Sequence, residues 1–273
     1  MTGASATAPA SAGPRRATFG NVVAAEWTKI LTVRSTFWTL LAAIIVTIGL
    51  SALLAWAFTS AYGQMSAADK AQFDPAAFGL AGINFGMVAF GVLGVLVVTG
   101  EYATGMIRTS LTAMPRRVEF LAAKALVLGV LTLVVGQLVS FASFLLSQLI
   151  FKSENINASL GDAGMLRAVV GGGLYLAVIA LMALGIGALL RHTAGSVTTI
   201  LGVLFVLPII GQFLPGDWGR TVAKFLPSSA GGAVMSARPA DDVLSPWTGF
   251  GVFVLYTAIV LAAAFLLFQK RDA

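Results

Sequence analysis

The stretch that decides the fold is residues 125–151, ALVLGVLTLVVGQLVSFASFLLSQLIF. It contains no Asp, Glu, Lys, Arg or His. A helix needs about 20 apolar residues to cross the hydrocarbon core of a bilayer, which is about 30 Å thick. This stretch exceeds that length, so it predicts a transmembrane helix.

Five other apolar stretches without ionisable residues meet the same length requirement or come close to it. They are residues 37–60, 78–99, 168–190, 197–213 and 247–268. Helices satisfy their own backbone hydrogen bonds in lipid, so we predict an all-α integral membrane protein with six transmembrane helices. The fifth span is short, and Pro208 near its end should disturb it.

The composition excludes a soluble protein. Hydrophobic residues make up 58% of the chain and charged residues 10%, whereas a soluble domain is about 25% charged. The chain has no cysteine and one histidine, His192. Disulfide scaffolds, thiolate metal sites and sites built from two imidazoles are therefore excluded.

The Lys and Arg residues favour one side of the predicted membrane. The side with both termini and the loops near 100–124 and 191–196 carries eleven bases and four acids, a net charge of +7. The other side carries six bases and seven acids, a net charge of −1. Positive loops stay in the cytoplasm, so we predict a multi-pass plasma-membrane protein with cytoplasmic N- and C-termini. This topology accounts for the basic pI, and no nucleic-acid partner is expected.

The segment before the first span predicts an interfacial amphipathic helix. Residues 1–18 are typical of a disordered tail, and residues 19–273 form the predicted membrane domain. Within residues 21–35, Val23, Trp27, Ile30 and Leu31 fall on one helical face, with Glu26 and Lys29 on the polar side and Asn21 as the N-cap. Such a helix suits the cytoplasmic headgroup layer. The alternative is that it extends the first span.

The loop between the second and third spans predicts a second short helix. Gly105 allows a turn, and Ile107, Leu111 and Met114 then share one face before Pro115 ends the helix. An apolar face framed by arginines suits docking into a groove of a partner protein. The alternative is that the arginines only set the topology and the apolar face rests on lipid. These residues leave both interpretations open.

Polar residues within the second and third spans are candidates for lining a pathway. They are Asn84, Gln137, Ser140 and Gln148, with Phe144 close by. That mixture would suit an amphipathic substrate. The other interpretation, which we favour, is hydrogen bonding between helices. The loop at 214–246 predicts one or two short helices that either cap the bundle or gate it.

Three segments resemble a known family. Residues 101–117, EYATGMIRTSLTAMPRR, resemble the cytoplasmic loop of ABC-2 type transporter permeases. Residues 25–38, AEWTKILTVRSTFW, are similar to the entry segment of actinobacterial members, and residues 226–231, LPSSAG, are similar to a stretch before their last span. The order of these segments fits the predicted topology.

The resemblance implies the membrane subunit of an ATP-driven exporter. It implies an N-terminal connecting helix, a coupling helix in the 101–117 loop that seats on a separate ATP-binding subunit, and pairing of two permease chains. Two ATP-binding subunits and a second permease copy or paralogue are then expected as partners. The implied contact residues are Glu101, Gly105, Arg108, Leu111, Arg116 and Arg117, with Glu26, Trp27 and Lys29 beside them. Many relatives have threonine where this chain has Met106.

The implied substrate is hydrophobic or amphipathic, drug-like or lipid-like. The sequence has no Gly-x-x-x-x-Gly-Lys-Ser/Thr loop, so no nucleotide cofactor is expected on this chain, and ATP and magnesium are expected on the partner.

Three other functions compete with this one. Ion-coupled transporters tend to carry ionisable groups or broken helices near the midplane of the membrane, and the predicted spans have no Asp, Glu, Lys, Arg or His. An enzyme would need converging acids, but Glu101 is expected to pair with Arg34 or Arg108, and His192 has no carboxylate nearby in sequence. A non-transporting membrane anchor or sensor with the same fold remains the alternative, because fold does not fix function.

Overall fold

The computed structural model describes residues 18–114, 116–238 and 243–270. Within these ranges the regular elements are helices, and no strand is present. In chain order the α-helices are α1 (Phe19–Thr32), α2 (Arg34–Ala61), α3 (Ala67–Ala71), α4 (Pro75–Gly79), α5 (Ile83–Thr104), α6 (Met106–Ala113), α7 (Arg117–Phe151), α8 (Met165–Leu190), α9 (Thr193–Leu201), α10 (Leu207–Gln212), α11 (Gly216–Phe225), α12 (Pro227–Gly232) and α13 (Pro246–Lys270). The tail predicted before Thr18, the predicted helix end at Pro115 and residues 239–242 of the 214–246 loop lie outside the described residues.

Six helical segments are long and apolar enough to cross a membrane, which confirms the predicted all-α membrane fold. They are α2, α5, α7, α8, the pair α9–α10, and α13. In the described part of the chain, seven of the thirteen α-helices make up the six spans, because α9 and α10 together form one span. The other six helices lie before or between the spans.

The helices around the second and third spans differ from the predicted bounds. Asp74 accepts backbone N–H bonds from Ala76 and Ala77 and starts the short helix α4, so α5 begins only at Ile83. At the other end α5 continues through Glu101, and α7 begins at Arg117 and includes Lys124. The helices therefore extend past the predicted apolar stretches and include Glu101 and Lys124 just beyond the ends of those stretches. Hydropathy ends a span at the first charge, but these two charges are paired inside the protein and the helices continue through them.

The fifth span is interrupted where proline predicted a disturbance. Residues Gly202–Val206 form a π-helical turn between α9 and α10. Pro208 has no backbone N–H, so the carbonyl of Leu204 loses its ordinary helical donor. A wider turn at this point is the usual accommodation of an interrupted hydrogen-bond ladder.

The central helix of the bundle is α8, which is the most buried of the six spans. It packs against α5, α7 and α13. On the far side of α5, Gly86 brings α2 so close that an added Cβ would lie 2.1 Å from Thr47 Oγ1. The small-residue spacing of Gly82 and Gly86 thus serves packing inside this bundle.

The connections gather at two ends, as the predicted alternation of loops requires. We call the end with α1, α6, the turn at Arg191 and the last turn of α13 the basic end. Phe120 stacks on Phe268 at 6.4 Å, and the Arg191 guanidinium lies 5.3 Å from the centre of the Tyr102 ring. At the opposite end, Arg167 Nη2 donates to the carbonyl of Ser236 at 2.9 Å and joins the start of α8 to the segment after α12.

Candidate functional site at the basic end

The helix α1 lies across the basic end and contacts α7 and α2. Its N-cap is Thr18, whose hydroxyl accepts the backbone N–H of Asn21 at 3.4 Å, so the predicted cap at Asn21 is one turn too late. The face that packs on the bundle is made by Val22, Glu26 and Ile30.

The predicted place of Glu26 on the polar side of α1 is therefore wrong. Of the predicted apolar face only Ile30 is buried, Val23 is half-buried, and Trp27 and Leu31 remain exposed. Glu26 lies on the packed side and is only 3% exposed. A pattern based on apolar residues alone assigns every charged residue to solvent. It therefore cannot predict that Glu26 is buried in ion pairs with lysines.

Four charged side chains from three helices form a closed cluster beneath α1. Lys124 Nζ donates to Glu26 Oε2 at 2.7 Å and to Glu101 Oε1 at 2.6 Å. Lys29 Nζ donates to Glu26 Oε1 at 2.9 Å and to the same Glu101 oxygen at 2.6 Å. We call these four residues the ion-pair ring, because each charge contacts the two of opposite sign. The ring connects α1, α5 and α7.

The ring is buried and electrically balanced. The side chain of Lys124 is 1% exposed, and its ammonium also donates to the carbonyl of Val97 at 3.4 Å and lies 4.9 Å from the centre of the Phe120 ring. Each of the two positive and two negative charges loses hydration on burial, and the attraction between opposite charges offsets part of that cost. A buried ion pair is tolerated when its geometry and hydrogen bonds offset the loss of water, and the ring meets both conditions for Lys124.

Lys29 is the member of the ring nearest to solvent, with a side chain 30% exposed. Burial alone would lower the pKa of the Lys29 ammonium. The hydrogen bonds and negative charges of Glu101 and Glu26 outweigh that effect and raise its pKa above the ordinary value of 10.5. Lys29 is therefore positively charged at any physiological pH.

Glu101 does not pair with Arg34 or Arg108, the partners expected from sequence. Its partners are Lys29 and Lys124, and both bind the same oxygen, Oε1. The second oxygen, Oε2, is buried and has no hydrogen-bond partner among the described residues. Sequence proximity suggested the arginines, whereas tertiary packing places lysines from helices on either side.

The helix α6 begins at a sharp corner after α5. Gly105 has φ of +71° and serves both as the C-cap of α5 and as the N-cap of α6. A residue with a Cβ is strained in this left-handed conformation, so glycine is the residue that fits. The predicted turn at Gly105 is where the structure places it.

The apolar face of α6 points into the protein, which corrects both interpretations of this face. Ile107 and Met114 are each 3% exposed and pack in one cluster with Val22 and Phe120, and Leu111 packs against that cluster. The face is thus buried in a hydrophobic cluster of the chain's own residues, which includes Val22 of α1 and Phe120 of α7, and it is offered neither to a partner's groove nor to lipid. The periodicity identified the buried face correctly but not what buries it.

The exposed face of α6 is polar and basic. Arg108, Thr109 and Thr112 are exposed, as is Met106. The two threonine hydroxyls bond to carbonyls of their own helix, of Met106 and Arg108. Beyond α6, Arg116 is exposed and pairs with Glu119 at 2.9 Å, while Arg117 is half-buried. We call Met106, Arg108, Thr109, Thr112 and Arg116 the basic face.

The structure divides the predicted contact residues into two groups. Arg108, Arg116, Gly105 and Trp27 lie at the surface. The others are buried or half-buried: Glu26, Glu101, Lys29, Leu111 and Arg117. Glu26, Glu101 and Lys29 form the ion-pair ring beneath the surface. Sequence reasoning missed Lys124, which it treated as a loop residue.

The candidate pathway residues are engaged in packing. Gln137 Nε2 donates to the carbonyl of Val170 at 2.9 Å, and Ser140 Oγ donates to that of Val169 at 2.6 Å. Gln148 donates to the carbonyl of Pro75 and accepts the N–H of Ala158, and Phe144 is 1% exposed. These contacts favour the hydrogen-bonding interpretation. Asn84 alone among the five is exposed, so a pathway-lining role stays a prediction.

The one histidine has a structural contact. His192 is the N-cap of α9, and its Nδ1 accepts the backbone N–H of Gly195 at 3.1 Å. In the described part of the chain, no group of three or more His, Asp or Glu side chains is placed to hold a metal ion.

Comparison with known families gives a match over most of the chain. The sequence profile of the ABC-2 family transporter protein matches residues 22–211. The match covers α1 to α10 and therefore includes the ion-pair ring and the basic face. No curated protein matches the sequence. Because the match extends over more than half of the chain, the chain belongs to the ABC-2 family of transporter proteins.

Proposed function

We propose that this chain is the membrane subunit of an ATP-driven exporter and that the basic face docks on a separate ATP-binding subunit. Membership of the family makes the chain a membrane permease of an ABC-type system and implies an ABC ATP-binding subunit as its partner. The observation that carries the docking proposal is the geometry of α6. Its apolar side is fixed to the bundle while its arginine-bearing side is left to solvent.

The ion-pair ring, which lies next to the basic face, also supports the docking proposal. The basic face lies on the connection between α5 and α7, and the ring ties these two helices to each other and to α1. A displacement of α6 is then passed to two spanning helices together, because their ends share one set of buried charges. Since Glu26 and Glu101 are buried, their proposed role is to position α6, and the partner contact rests on Arg108 and Arg116.

The proposed orientation places the basic end in the cytoplasm, following the positive-inside rule. The chain has no cysteine, so single cysteines can be read without background. Cysteine in place of Ala68, exposed on α3 at the opposite end, should react with an impermeant thiol reagent on intact cells. Cysteine in place of Thr112 on α6 should react only after the cells are opened. Labelling at Thr112 from outside would invert the topology.

The proposed assembly contains two permease chains, identical or paralogous, and two ATP-binding subunits, which carry the ATP and magnesium. The proposed cargo is a hydrophobic or amphipathic compound moved outward. In the bundle itself, α2, α9–α10 and α13 leave broad apolar surfaces exposed, as contact with lipid requires.

The docking experiment uses a charge reversal at each end. Arg108→Glu on the basic face should abolish co-purification of the ATP-binding subunit while the chain still inserts and stays monodisperse in detergent. The matched control is Arg220→Glu on α11, an exposed arginine at the opposite end that pairs with Asp217 within its own helix. If both variants retain the subunit equally well, the basic face is not the docking site. If the tagged wild-type chain from its native host brings down no subunit with a phosphate loop, an anchor or sensor function replaces transport.

A further inference from the structure

The chain turns back into the bundle after the fifth span. Gly216 has φ of +72° at the start of α11, which allows a sharp change of direction. An added Cβ on Gly219 would meet Leu214, and an added Cβ on Gly211 would meet Ala223. Later residues of α11 thus contact earlier residues of the fifth span. The helix α11 therefore runs back along that span, away from the opposite end of the bundle.

The far end of α11 reaches two tyrosines inside the spans. Tyr256 Oη donates to the carbonyl of Phe225 at 3.0 Å, and Tyr175 Oη donates to that of Ser228 at 3.5 Å. Each tyrosine lies ten residues after the start of its helix, α13 or α8, which is about 15 Å. Helical side chains lean towards the N-terminus, so the bonded carbonyls lie somewhat nearer to the opposite end. Residues 225–229, which we call the tip, are therefore at membrane depth.

From the tip the chain returns to the opposite end along α8. An added Cβ on Gly171 would meet Val234, and Arg167 donates to the carbonyl of Ser236. These contacts follow α8 from Tyr175 back to its first turn. Residues 216–238 thus form a re-entrant segment, which descends as α11 and rises through α12.

The helix α11 exposes two sides of different character. Trp218, Val222 and Phe225 are exposed on one side, which suits lipid. The other side is polar, and its residues lie three or four positions apart: Asp217, Arg220, Thr221 and Lys224. Arg220 pairs with Asp217, whereas Lys224 forms no ion pair or hydrogen bond within the described residues. The polar side therefore carries one uncompensated positive charge.

Lipid is an unsuitable surrounding for the tip and for the polar side of α11. Leu226 has extended backbone between α11 and α12. Irregular backbone at membrane depth is tolerated only where protein buries it or where it lines a water-filled cavity. Ser229 of the tip is exposed, so this chain does not bury it. An unpaired lysine is also costly in hydrocarbon, and water at this side removes both costs.

We propose that the tip and the polar side of α11 line a water-filled vestibule that opens at the opposite end, and that Lys224 binds the anionic group of a solute there. The Asp217–Arg220 pair is neutral, so the charge of Lys224 decides the sign of the ligand. Carboxylate, sulfonate and phosphate groups fit this charge. If the chain is an exporter, its cargo is an amphipathic compound with such a group, and this last step rests on the proposed function.

The first test measures the access of water to the tip with single cysteines, since the native chain has none. The full-length chain is kept in open membrane fragments, so that a hydrophilic thiol reagent reaches both sides. Ser229→Cys should react readily. The matched control is Leu255→Cys, 57% exposed on α13 beside Tyr256 and therefore at a similar depth. It should react at least about ten-fold more slowly, because lipid raises the pKa of a thiol and removes the reactive thiolate.

The second test measures the charge of the vestibule. Thr221→Cys places a thiol one turn from Lys224, and its reaction is followed with two reagents of similar size, one with a sulfonate and one with a trimethylammonium group. Adding Lys224→Gln should slow the sulfonate reagent about five-fold, the factor for two unit charges about 4 Å apart in water. It should not slow the cationic reagent. Lys152→Gln, which removes an exposed lysine at the same end of the bundle, is the control and should leave both rates unchanged.

Three outcomes overturn the proposal. Equally slow reaction of Ser229→Cys and Leu255→Cys would place the tip in lipid or against another chain. Equally fast reaction of both would show that the tip does not lie at membrane depth. A sulfonate rate unaffected by Lys224→Gln would remove the anion site. The assays contain neither the ATP-binding subunit nor ATP, so their failure leaves the docking proposal standing, and a failure of docking leaves these assays unaffected.

Discussion

The two ends of the bundle hold their connections by different chemistry. At the basic end, four charged side chains from α1, α5 and α7 pair with one another. At the opposite end, Asp74 accepts the hydroxyl of Ser236 at 2.7 Å and the backbone N–H of Arg238 at 3.0 Å, and Arg167 donates to backbone carbonyls of the same segment. The basic end depends on bonds between side chains, whereas the opposite end depends mainly on bonds from side chains to backbone groups, with the Ser236 hydroxyl as the exception.

This difference separates two kinds of requirement on sequence. Backbone groups are present whatever residue is there, so the segment near Ser236 would lose only the hydroxyl bond of Ser236 if its side chains changed and would keep the bonds of its backbone. The ion-pair ring allows no such freedom, because removing one member leaves a charge of the opposite sign buried without its balance. We therefore expect the larger losses of stability at the basic end.

The largest effect is expected for Lys124→Met, which keeps the length of the side chain and removes its charge. Glu26 and Glu101 then remain buried with one lysine between them, and breaking a buried pair in this way costs about 3–5 kcal/mol. The measurement is the free energy of unfolding in detergent, or the midpoint of thermal unfolding. Lys152→Met is the matched control: Lys152 is exposed just beyond the end of the same helix, and its loss should stay within about 0.5 kcal/mol.

A second substitution sharpens this result. Adding Glu26→Gln to Lys124→Met removes one charge of each sign and leaves the Lys29–Glu101 pair, so part of the lost stability should return. Coupling within such a network is about 0.5–3 kcal/mol. A double variant that loses the full sum of both single effects would show that the ring does not act as one unit.

Hydropathy predicted the six spans because burying apolar length in lipid is a large effect that any window of the sequence reveals. The ion-pair ring could not be found in this way. Lys124 and Glu26 are 98 positions apart, and Lys124 and Glu101 are 23 apart across a loop. Which charges meet depends on how α1 lies on the bundle, and local sequence does not contain that information. The one available signal was that Lys124 and Glu101 sit directly at the ends of apolar runs.

The helix α6 shows the same limit on a smaller scale. The spacing of Ile107, Leu111 and Met114 correctly indicates one apolar face. The spacing does not indicate what packs against this face. From sequence we considered a partner protein or lipid. The same cluster includes Val22, which comes from the N-terminal segment that the sequence analysis treated separately. A periodic pattern defines which side is buried, whereas tertiary structure defines against what.

A smaller loss is expected at the opposite end, for Asp74→Asn. The amide keeps one acceptor for the start of α4 but presents N–H groups where Ser236 and Arg238 now donate. Hydrogen bonds to a charged group contribute about 1.5–3 kcal/mol. The same unfolding measurement, together with faster proteolysis near residue 238, should report the loss. Asp69→Asn on the exposed helix α3 is the control, and a loss at Asp74 larger than that of Lys124→Met would reverse our ranking of the two ends.

The next smaller changes in stability are expected for two glycine substitutions, one before and one after Glu101 in the sequence. Gly105→Ala places a Cβ on a residue with φ of +71° and should cost about 1–2 kcal/mol. Gly100→Ala, inside α5 with no atom within 4 Å of the added Cβ, should instead stabilise the helix by about 1 kcal/mol. Opposite signs for the same substitution five positions apart would confirm that the corner before α6 depends on its backbone conformation. Equal signs would contradict it.

The smallest effect concerns pH and the exposed member of the ring. The pKa of Lys29 is raised above 10.5 in the folded protein, so its contribution to stability is fully present below pH 10.5 and is lost only as pH rises through the raised value. The difference in thermal midpoint between the wild type and Lys29→Met should therefore stay constant from pH 7 to about pH 9.5, the range in which an ordinary lysine remains charged. Using the difference between two chains cancels the titration of other groups. A difference that shrinks below pH 9 would mean that Lys29 loses its proton early, as desolvation alone would dictate, and that Glu26 and Glu101 do not hold it in the ring.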